Sequence, residues 1–232
     1  MLRLHILASG SGGNAAIVEN AVTGEGVLVD CGICKRDFFA RAEEAGFNLE
    51  KLRAVVITHD HGDHTKGLGV VLRGLAKAGA HPAVCASEAV FATSAPLRDA
   101  VASVGAAFEP FDGGDRLDLA GLAVRPFRTS HDAADFLRVS VRRARKRLRL
   151  PRLHDRHRCR DRCGLEALSG VHLLALESNH DARMLQMGPY PYVIKQRIAS
   201  ARGICPTTRR ARPWITWLTK TCARWRPCTF PR

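Results

Sequence analysis

The sequence predicts one main domain of the α/β class, and three observations support this. Short apolar runs rich in Val, Ile and Leu alternate with longer segments in which Leu, Ala and charged residues recur at helical spacing. With 232 residues, 46% of them hydrophobic, the chain is long and apolar enough to bury a full core. No run of about 18 apolar residues occurs, which predicts that no segment spans a membrane.

The individual elements follow from the same patterns. Apolar runs predict strands near residues 2–8, 14–20, 26–30, 54–58, 117–126 and 171–176. Spaced Leu, Ala and charged residues predict helices near residues 35–46, 65–78, 87–95 and 191–201. Periodicity by itself predicts the α/β class and no particular topology.

The beginning of the chain and its cysteines indicate the compartment. The start lacks the long apolar core of a signal peptide, so we expect a cytoplasmic protein whose eight cysteines are free thiols. Cys31 and Cys34 have the spacing of a redox pair, although two cysteines beside a glycine turn also arise readily by chance.

One short loop carries most of the chemical information. Residues 58–64 have the sequence Thr-His-Asp-His-Gly-Asp-His and directly follow the apolar run 54–57, so a buried strand is expected to deliver this loop to one end of a sheet. His59 and His61 lie two apart, and in an extended segment their side chains point the same way. Neutral imidazole and carboxylate are ligands that Zn²⁺ or Mn²⁺ prefers. We therefore predict a metal site, the alternative being a polar turn whose histidines bind nothing.

The spacing His-x-His-x-Asp-His at residues 59–64 resembles the first signature of the metallo-β-lactamase superfamily of hydrolases. Further segments resemble its YycJ-like branch, which comprises single-domain bacterial enzymes similar to DNA exonucleases and phosphodiesterases; these segments are 9–14, 27–32, 129–133 and 176–181. The resemblance covers about residues 1–135 and 164–203. It implies an αββα sandwich, in which two mixed β-sheets pack face to face with helices outside.

The resemblance also implies two divalent metal ions, Zn or Mn, and the residues that hold them. The expected metal ligands are His59, His61, Asp63, His64 and His131. Asp63 is in addition an expected catalytic residue, because a carboxylate beside a metal stays ionised and can orient or deprotonate the attacking water. His180, the second expected catalytic residue, either contacts the scissile phosphate or merely caps a helix. The glycine-rich loop 9–14 either presents backbone N–H groups to an anion or forms a structural turn.

Two segments account for the net charge of +14. Residues 136–163 contain twelve Arg or Lys and two Asp, a net charge of +10, and residues 204–232 contain seven Arg or Lys and no acid, a net charge of +7. The remaining residues carry −3, and therefore give no electrostatic indication of nucleic-acid binding. A basic arm that binds phosphates is one interpretation of the two segments, and a solvated stretch is another.

We favour a third interpretation, in which both segments are translated out of frame. Residues 154–158 can be encoded CAT GAC CGA CAC CGG, which one nucleotide later gives Met-Thr-Asp-Thr-Gly, and the YycJ-like branch has a Thr-Asp-x-Gly motif at this point. Residues 203–208 can be encoded GGC ATC TGT CCA ACG AC. Restoring one C gives GGC CAT CTG TCC AAC GAC, which encodes Gly-His-Leu-Ser-Asn-Asp and is similar to a late Gly-His-Leu-Ser-Asn motif of the branch. In the branch these motifs supply a metal-bridging aspartate and a ligand of the second metal. We therefore expect weakened or absent activity.

The function implied by the resemblance is metal-dependent hydrolysis of phosphodiester bonds, with nucleic acid, preferentially DNA, as the partner. The hydrolase domain is expected to span residues 1–203 with an aberrant basic insert at 136–163, followed by an aberrant basic tail at 204–232 that is expected to be poorly ordered. Two alternatives stay open: hydrolysis of a small ester, thioester or cyclic phosphodiester, and non-catalytic binding of nucleic acid by a basic remnant.

Overall fold

The structure is a computed structural model that describes residues 1–128 and 137–143, together with Met187 and Tyr192, which are exposed and helical. The chain divides into two compact units, Met1–Ala167 and Leu168–Arg232, and every element named below lies in the first. The strand predicted at 171–176 and, apart from Tyr192, the helix predicted at 191–201 lie outside the described residues. The domain boundaries predicted from sequence stay a prediction.

A six-stranded mixed sheet is the centre of the first unit. Its strands, in the order β1-β2-β3-β4-β5-β6, are β1 (Leu2–Ala8), β2 (Ala15–Asn20), β3 (Gly26–Val29), β4 (Leu52–Val56), β5 (Ala83–Ala86) and β6 (Phe108–Pro110). Strands β1, β2 and β3 pair antiparallel, whereas β3, β4, β5 and β6 pair parallel. The first four strands were predicted; β5 and β6, of four and three residues, are too short to give a period.

A second, antiparallel sheet consists of β7 (Leu117–Leu119), β8 (Leu122–Arg128) and β9 (Leu137–Arg143). The sequence predicted one strand over 117–126, and this was wrong in one respect. Ala120 and Gly121 both have positive φ angles, 54° and 67°, and make a two-residue turn that divides the segment into a hairpin. Strand β9 was not predicted, and it places regular pairing within the first residues of the segment 136–163.

Five helices accompany the sheets in the described ranges: α1 (Lys35–Glu44), α2 (Gly62–Thr65), α3 (Leu68–Lys77), α4 (Glu88–Thr93) and α5 (Ala95–Val104). A 3-10 turn at Leu49–Lys51 precedes β4. The helix predicted at 65–78 is interrupted at Gly67, whose N–H donates to the Cys31 carbonyl over 2.9 Å. Helix α5 was missed, although Ser94 caps its start and Gly105, with a φ of 61°, ends it.

The central strands of the first sheet, β2 to β5, are largely buried on both faces. Successive residues of a strand point to opposite sides, so each strand contributes to two clusters. In β4, Val55 joins a core cluster with helix residues such as Phe38 and Leu72, whereas Ala54 and Val56 join a cluster with the second sheet. In the described part of the chain, a helical layer, a mixed sheet and a second sheet are thus stacked, which are three of the four layers of the predicted αββα sandwich. Within the residues described, no helix is both long and apolar enough to cross a membrane.

Candidate metal centre

The loops that follow β1, β3 and β4 meet at one edge of the first sheet. These strands run in the same direction, since β1 and β3 are both antiparallel to β2 and β4 is parallel to β3, so their carboxyl ends share an edge. Backbone hydrogen bonds join the loops: the N–H of Asn14 donates to the Asp63 carbonyl (2.7 Å), and the N–H of Gly32 to the Asn14 carbonyl (2.8 Å). The predicted delivery of residues 58–64 to the end of a sheet is confirmed.

Glycine is required where these loops touch. A Cβ added to Gly32 would overlap the Asp63 carbonyl and lie 2.9 Å from the backbone nitrogen of Asn14. Gly13 has a φ of 147°, in a region that residues with a Cβ rarely adopt. The two glycines therefore allow three backbones to approach each other beneath the histidine loop.

Three of the predicted ligands are neighbours in space. The ring centroid of His59 lies 4.7 Å from that of His61 and 3.9 Å from that of His64. His59 is almost fully buried, with 2% of its surface exposed. His61 occupies the N-cap position of α2, and its carbonyl accepts from the His64 N–H over 2.9 Å, which closes the turn carrying Asp63 and His64.

A hydrogen-bond chain sets the tautomer of His59. The Thr58 hydroxyl lies 3.0 and 2.9 Å from the two carboxylate oxygens of Asp30, and its single proton must point at that acceptor. The same hydroxyl lies 2.9 Å from Nδ1 of His59, so it accepts the Nδ1 proton. In the neutral His59 ring the lone pair is therefore on Nε2, the nitrogen through which this ring would bind a metal.

Asp30 acts in the same way on His64. Its Oδ2 atom lies 2.8 Å from Nδ1 of His64, and a carboxylate only accepts, so Nδ1 carries a proton. In the neutral ring the lone pair is then on Nε2. Asp30 also accepts from the backbone N–H of Thr58 over 2.9 Å. Its side chain is 9% exposed, so one buried carboxylate orients two candidate ligands from the end of β3.

Asp63 lies at the accessible side of the cluster, with 31% of its side chain exposed. Its Oδ2 atom is 3.5 Å from Nε2 of His64. The side-chain amide of Asn14 lies 3.2 Å from Asp63 Oδ2 and 3.1 Å from His64 Nε2. Asp63 and His64 therefore present an oxygen and a nitrogen ligand atom side by side.

The donor types of these residues fit a divalent metal, whereas the number of side chains that converge on one point does not. Imidazole rings beside a carboxylate are the donor set that Zn²⁺ or Mn²⁺ prefers, and the hydrogen bonds of His59 and His64 direct their Nε2 atoms to this role. Within residues 1–128 and 137–143, however, no group of three His, Cys, Asp or Glu side chains converges closely enough to hold an ion. His131 and His180, the remaining predicted site residues, lie outside the described residues.

Sequence reasoning missed the residues that orient the ligands: Asn14, Asp30 and Thr58. A signal for Asp30 was present, because it directly follows the apolar run 26–29 just as the histidine loop follows 54–57. Its φ of 58° is also a conformation that Asp tolerates better than most residues. The bonds of Asn14 and Thr58 depend on loops distant in sequence and left no pattern.

Comparison with known proteins identifies relatives of this chain. The sequence model of the metallo-β-lactamase superfamily matches residues 8–143. The chain is 33% identical to "Exodeoxyribonuclease YycJ" of Bacillus anthracis over 202 residues, which are 87% of this chain and 72% of that protein. It is 30% identical to "Exodeoxyribonuclease WalJ" of Streptococcus pneumoniae serotype 2 over 199 residues, 85% of this chain and 70% of that one.

Among solved structures, the metallo-β-lactamase fold protein YhfI from Bacillus subtilis aligns with a TM-score of 0.49 and 16% identity, over 61% of this chain and 58% of its own. The family match covers more than half of the chain, and the first of the two sequence relatives extends over most of it. The chain therefore belongs to the metallo-β-lactamase superfamily, a family of metal-dependent hydrolases.

Proposed function

We propose that this chain descends from, and retains the centre of, an enzyme that hydrolyses phosphodiester bonds in DNA with the help of divalent metal ions, Zn or Mn. The observation that supports this most directly is the cluster of His59, His61 and His64, two of whose rings are oriented by Asp30 and Thr58. DNA is the proposed substrate because both sequence relatives are named exodeoxyribonucleases.

The proposed ligands divide into two groups. His59 and His61, with His131, would hold one metal ion through imidazole nitrogens, and Asp63 with His64 would contribute to a second. Such ions, when bound, lower the pKa of a bound water and neutralise charge on a phosphate. The loop 58–64 supplies four of these five residues, so its placement at the sheet edge largely determines the site.

Asp63 is the proposed group that orients and deprotonates water. Its carboxylate is partly exposed, so water and substrate can reach it, and its position is fixed by the hydrogen bond from Asn14. His180 is proposed to contact the scissile phosphate, with helix capping as the alternative role. The cytoplasmic location predicted from sequence remains part of the proposal.

The activity of the chain as written is proposed to be weaker than that of an intact relative. The sequence has no Thr-Asp-x-Gly and no Gly-His-Leu-Ser-Asn motif, which the resemblance implies for the bridging aspartate and a ligand of the second metal. Because these ligands are missing, we expect the site to bind one metal ion tightly and the second metal ion weakly.

The test combines metal content with a panel of substrates. The purified full chain is compared with His59→Ala/His61→Ala and with His81→Ala, whose exposed histidine in the loop before β5 serves as a control. We expect metal retained by mass spectrometry in the wild type and His81→Ala, and lost in the double variant. The metal-dependent rate of hydrolysis should be higher for double-stranded DNA and bis-p-nitrophenyl phosphate than for a thioester.

Other outcomes identify the alternatives. Turnover of the thioester without cleavage of DNA would favour a small-molecule hydrolase. Steeply salt-dependent DNA binding without metal-dependent turnover would favour a non-catalytic basic remnant. Equal metal content in the wild type and the double variant would contradict the proposed site.

A further inference from the structure

The side chain of Asn14, at the end of the glycine-rich loop 9–14, is held in one orientation. The backbone N–H of Gly10 donates to its Oδ1 atom over 3.0 Å, which identifies the oxygen end of the amide. The nitrogen end, Nδ2, then lies 3.2 Å from the Gly10 carbonyl and can donate one proton there. The second Nδ2 proton faces Asp63 Oδ2 at 3.2 Å and His64 Nε2 at 3.1 Å.

The backbone of Asn14 is tied to the same neighbours. Its N–H donates to the Asp63 carbonyl, and its own carbonyl accepts from the N–H of Gly32. One residue therefore connects the loop after β1 with the loops after β3 and β4. Two of its side-chain contacts reach ligand-type atoms, on Asp63 and His64, whereas its other bonds reach only the main chain.

Asparagine is the residue type that this position requires. It combines one acceptor for the Gly10 N–H with two donors, one for the Gly10 carbonyl and one for Asp63. Aspartate would keep the acceptor, lose both donors and place a second negative charge beside Asp63. Alanine would leave the Asp63 carboxylate without this donor.

We propose that Asn14 is a positioning residue, which holds the Asp63 carboxylate beside His64 and thereby sets how tightly these two side chains bind a metal. The inference rests on the proposed function, because it concerns residues that would hold its metal ions. A metal on His64 Nε2 would take over only the contact between Asn14 and that atom. The bonds from Asn14 to Gly10 and Asp63 would still restrict the carboxylate, and outer residues of this kind typically contribute about 10–100-fold in metal affinity.

The first test measures metal affinity in Asn14→Ala, Asn14→Asp and a matched control, Asn20→Ala. Asn20 also joins distant segments, since its amide donates to the Ala120 carbonyl over 3.3 Å and accepts from the Val22 N–H over 3.2 Å, but its bonds lie away from the histidine loop. Competition titrations of the purified full chain with Zn²⁺ and Co²⁺ are expected to show the weakest site about 10-fold or more weaker in Asn14→Ala.

Asn14→Asp separates positioning from general destabilisation. Without metal its added charge beside Asp63 should lower the melting temperature, and added metal should raise that temperature by more than in the wild type. The Co²⁺ absorption bands, which report the ligands directly, should change in both Asn14 variants and stay unchanged in Asn20→Ala. Wild-type affinity in Asn14→Ala, or an equal loss in Asn20→Ala, would overturn the proposal.

A second measurement needs no metal and keeps this proposal separate from the proposed function. In the presence of a chelator, the free energies of unfolding of Asn14→Ala, Asp63→Ala and the double variant form a thermodynamic cycle. We expect the double variant to be clearly less destabilised than the sum of the single variants, because both remove the same bond. Additive effects on the free energy of unfolding would refute the positioning role of Asn14. A wild-type chain that binds no metal would refute the proposed function, and the thermodynamic cycle would still test whether Asn14 positions Asp63.

Discussion

Asp30 shows how much of the centre depends on a single side chain. The Asp30 carboxylate accepts from the Thr58 backbone, the Thr58 hydroxyl and the His64 ring, and through Thr58 it also sets the proton of His59. All these donors are largely buried, so they have little access to water as a substitute partner.

The Asp30→Asn variant tests this role, because it preserves size and shape. Its NH₂ group would face a donor, either Thr58 or His64, and the tautomer of one ring would have to change. We expect a loss of about 1–3 kcal/mol in the free energy of unfolding and of about 10–100-fold in Zn²⁺ affinity. Urea denaturation and zinc competition measure the two effects, with the exposed Asp118→Asn as control; wild-type affinity in Asp30→Asn would contradict the assignment.

The cysteines near the centre differ in reactivity. Burial, and secondarily the charge of Asp30, raises the pKa of the Cys31 thiol to about 12, while burial and then Glu109 raise the pKa of Cys85 to about 12. Cys34 is exposed at the N-cap of α1. This difference does not favour Cys31 and Cys34 as a redox pair, because a reactive pair needs an accessible thiolate.

Alkylation of the native protein at pH 8 should therefore modify Cys34 long before Cys31 or Cys85. A thiol with a pKa of about 12 is ionised in only about one molecule in 10⁴ at pH 8, and the thiolate is the reacting form. Peptide mass spectrometry after a short iodoacetamide pulse measures each site, and all three should react in 8 M urea, roughly equally, once burial is lost. Native labelling of Cys31 at the rate of Cys34 would show that its burial is wrong.

At the scale of secondary structure, the centre depends on where three strands end. Strands β1, β3 and β4 each deliver a loop to the same edge, and helix α2 begins directly at His61. The contact between the loops is backbone to backbone, so it depends on the absence of side chains at a few positions.

Gly32→Ala tests this contact. The added Cβ would overlap the Asp63 carbonyl, and because backbone cannot move aside as a flexible side chain does, we expect a loss of about 2 kcal/mol or more in the free energy of unfolding. Gly12→Ala is the matched control, since a Cβ there meets nothing within 4 Å, and it should change stability by less than about 0.5 kcal/mol. Equal stability of the two variants in urea denaturation would contradict the close packing.

On the scale of the whole molecule, the family match extends into the basic segment 136–163. The superfamily model matches residues 8–143, and β9 pairs with β8 through Arg143. Residues 137–143 of this segment are thus regular strand, and Val139 and Val141 pack against the core between the sheets. The interpretation of the later residues as out of frame stays a prediction.

Restoring the proposed frames provides the test at this scale. A gene altered so that it encodes Thr-Asp-x-Gly after residue 143 and Gly-His-Leu-Ser-Asn near residue 203 should yield protein that binds close to two metal ions per chain. The present chain should retain about one ion through purification, because two ligands of the second, weakly held ion are missing. Metal content and DNA hydrolysis are compared for both proteins, and an uninterrupted genomic frame with other codons would contradict the interpretation.

By itself, the sequence determined the superfamily, the α/β class, the first four strands and the loop 58–64, because these depend on local apolar runs and on close spacing of chemically distinctive residues. Tertiary structure decided how Asp30, Thr58 and Asn14 orient the loop, since their partners lie as many as 50 residues away in the chain. It also decided the turn at residues 120–121 and the strand β9, where backbone angles and pairing with β8 outweigh a weak local pattern. Side-chain hydrogen bonds between distant loops have no period, and only the folded chain brings their ends together.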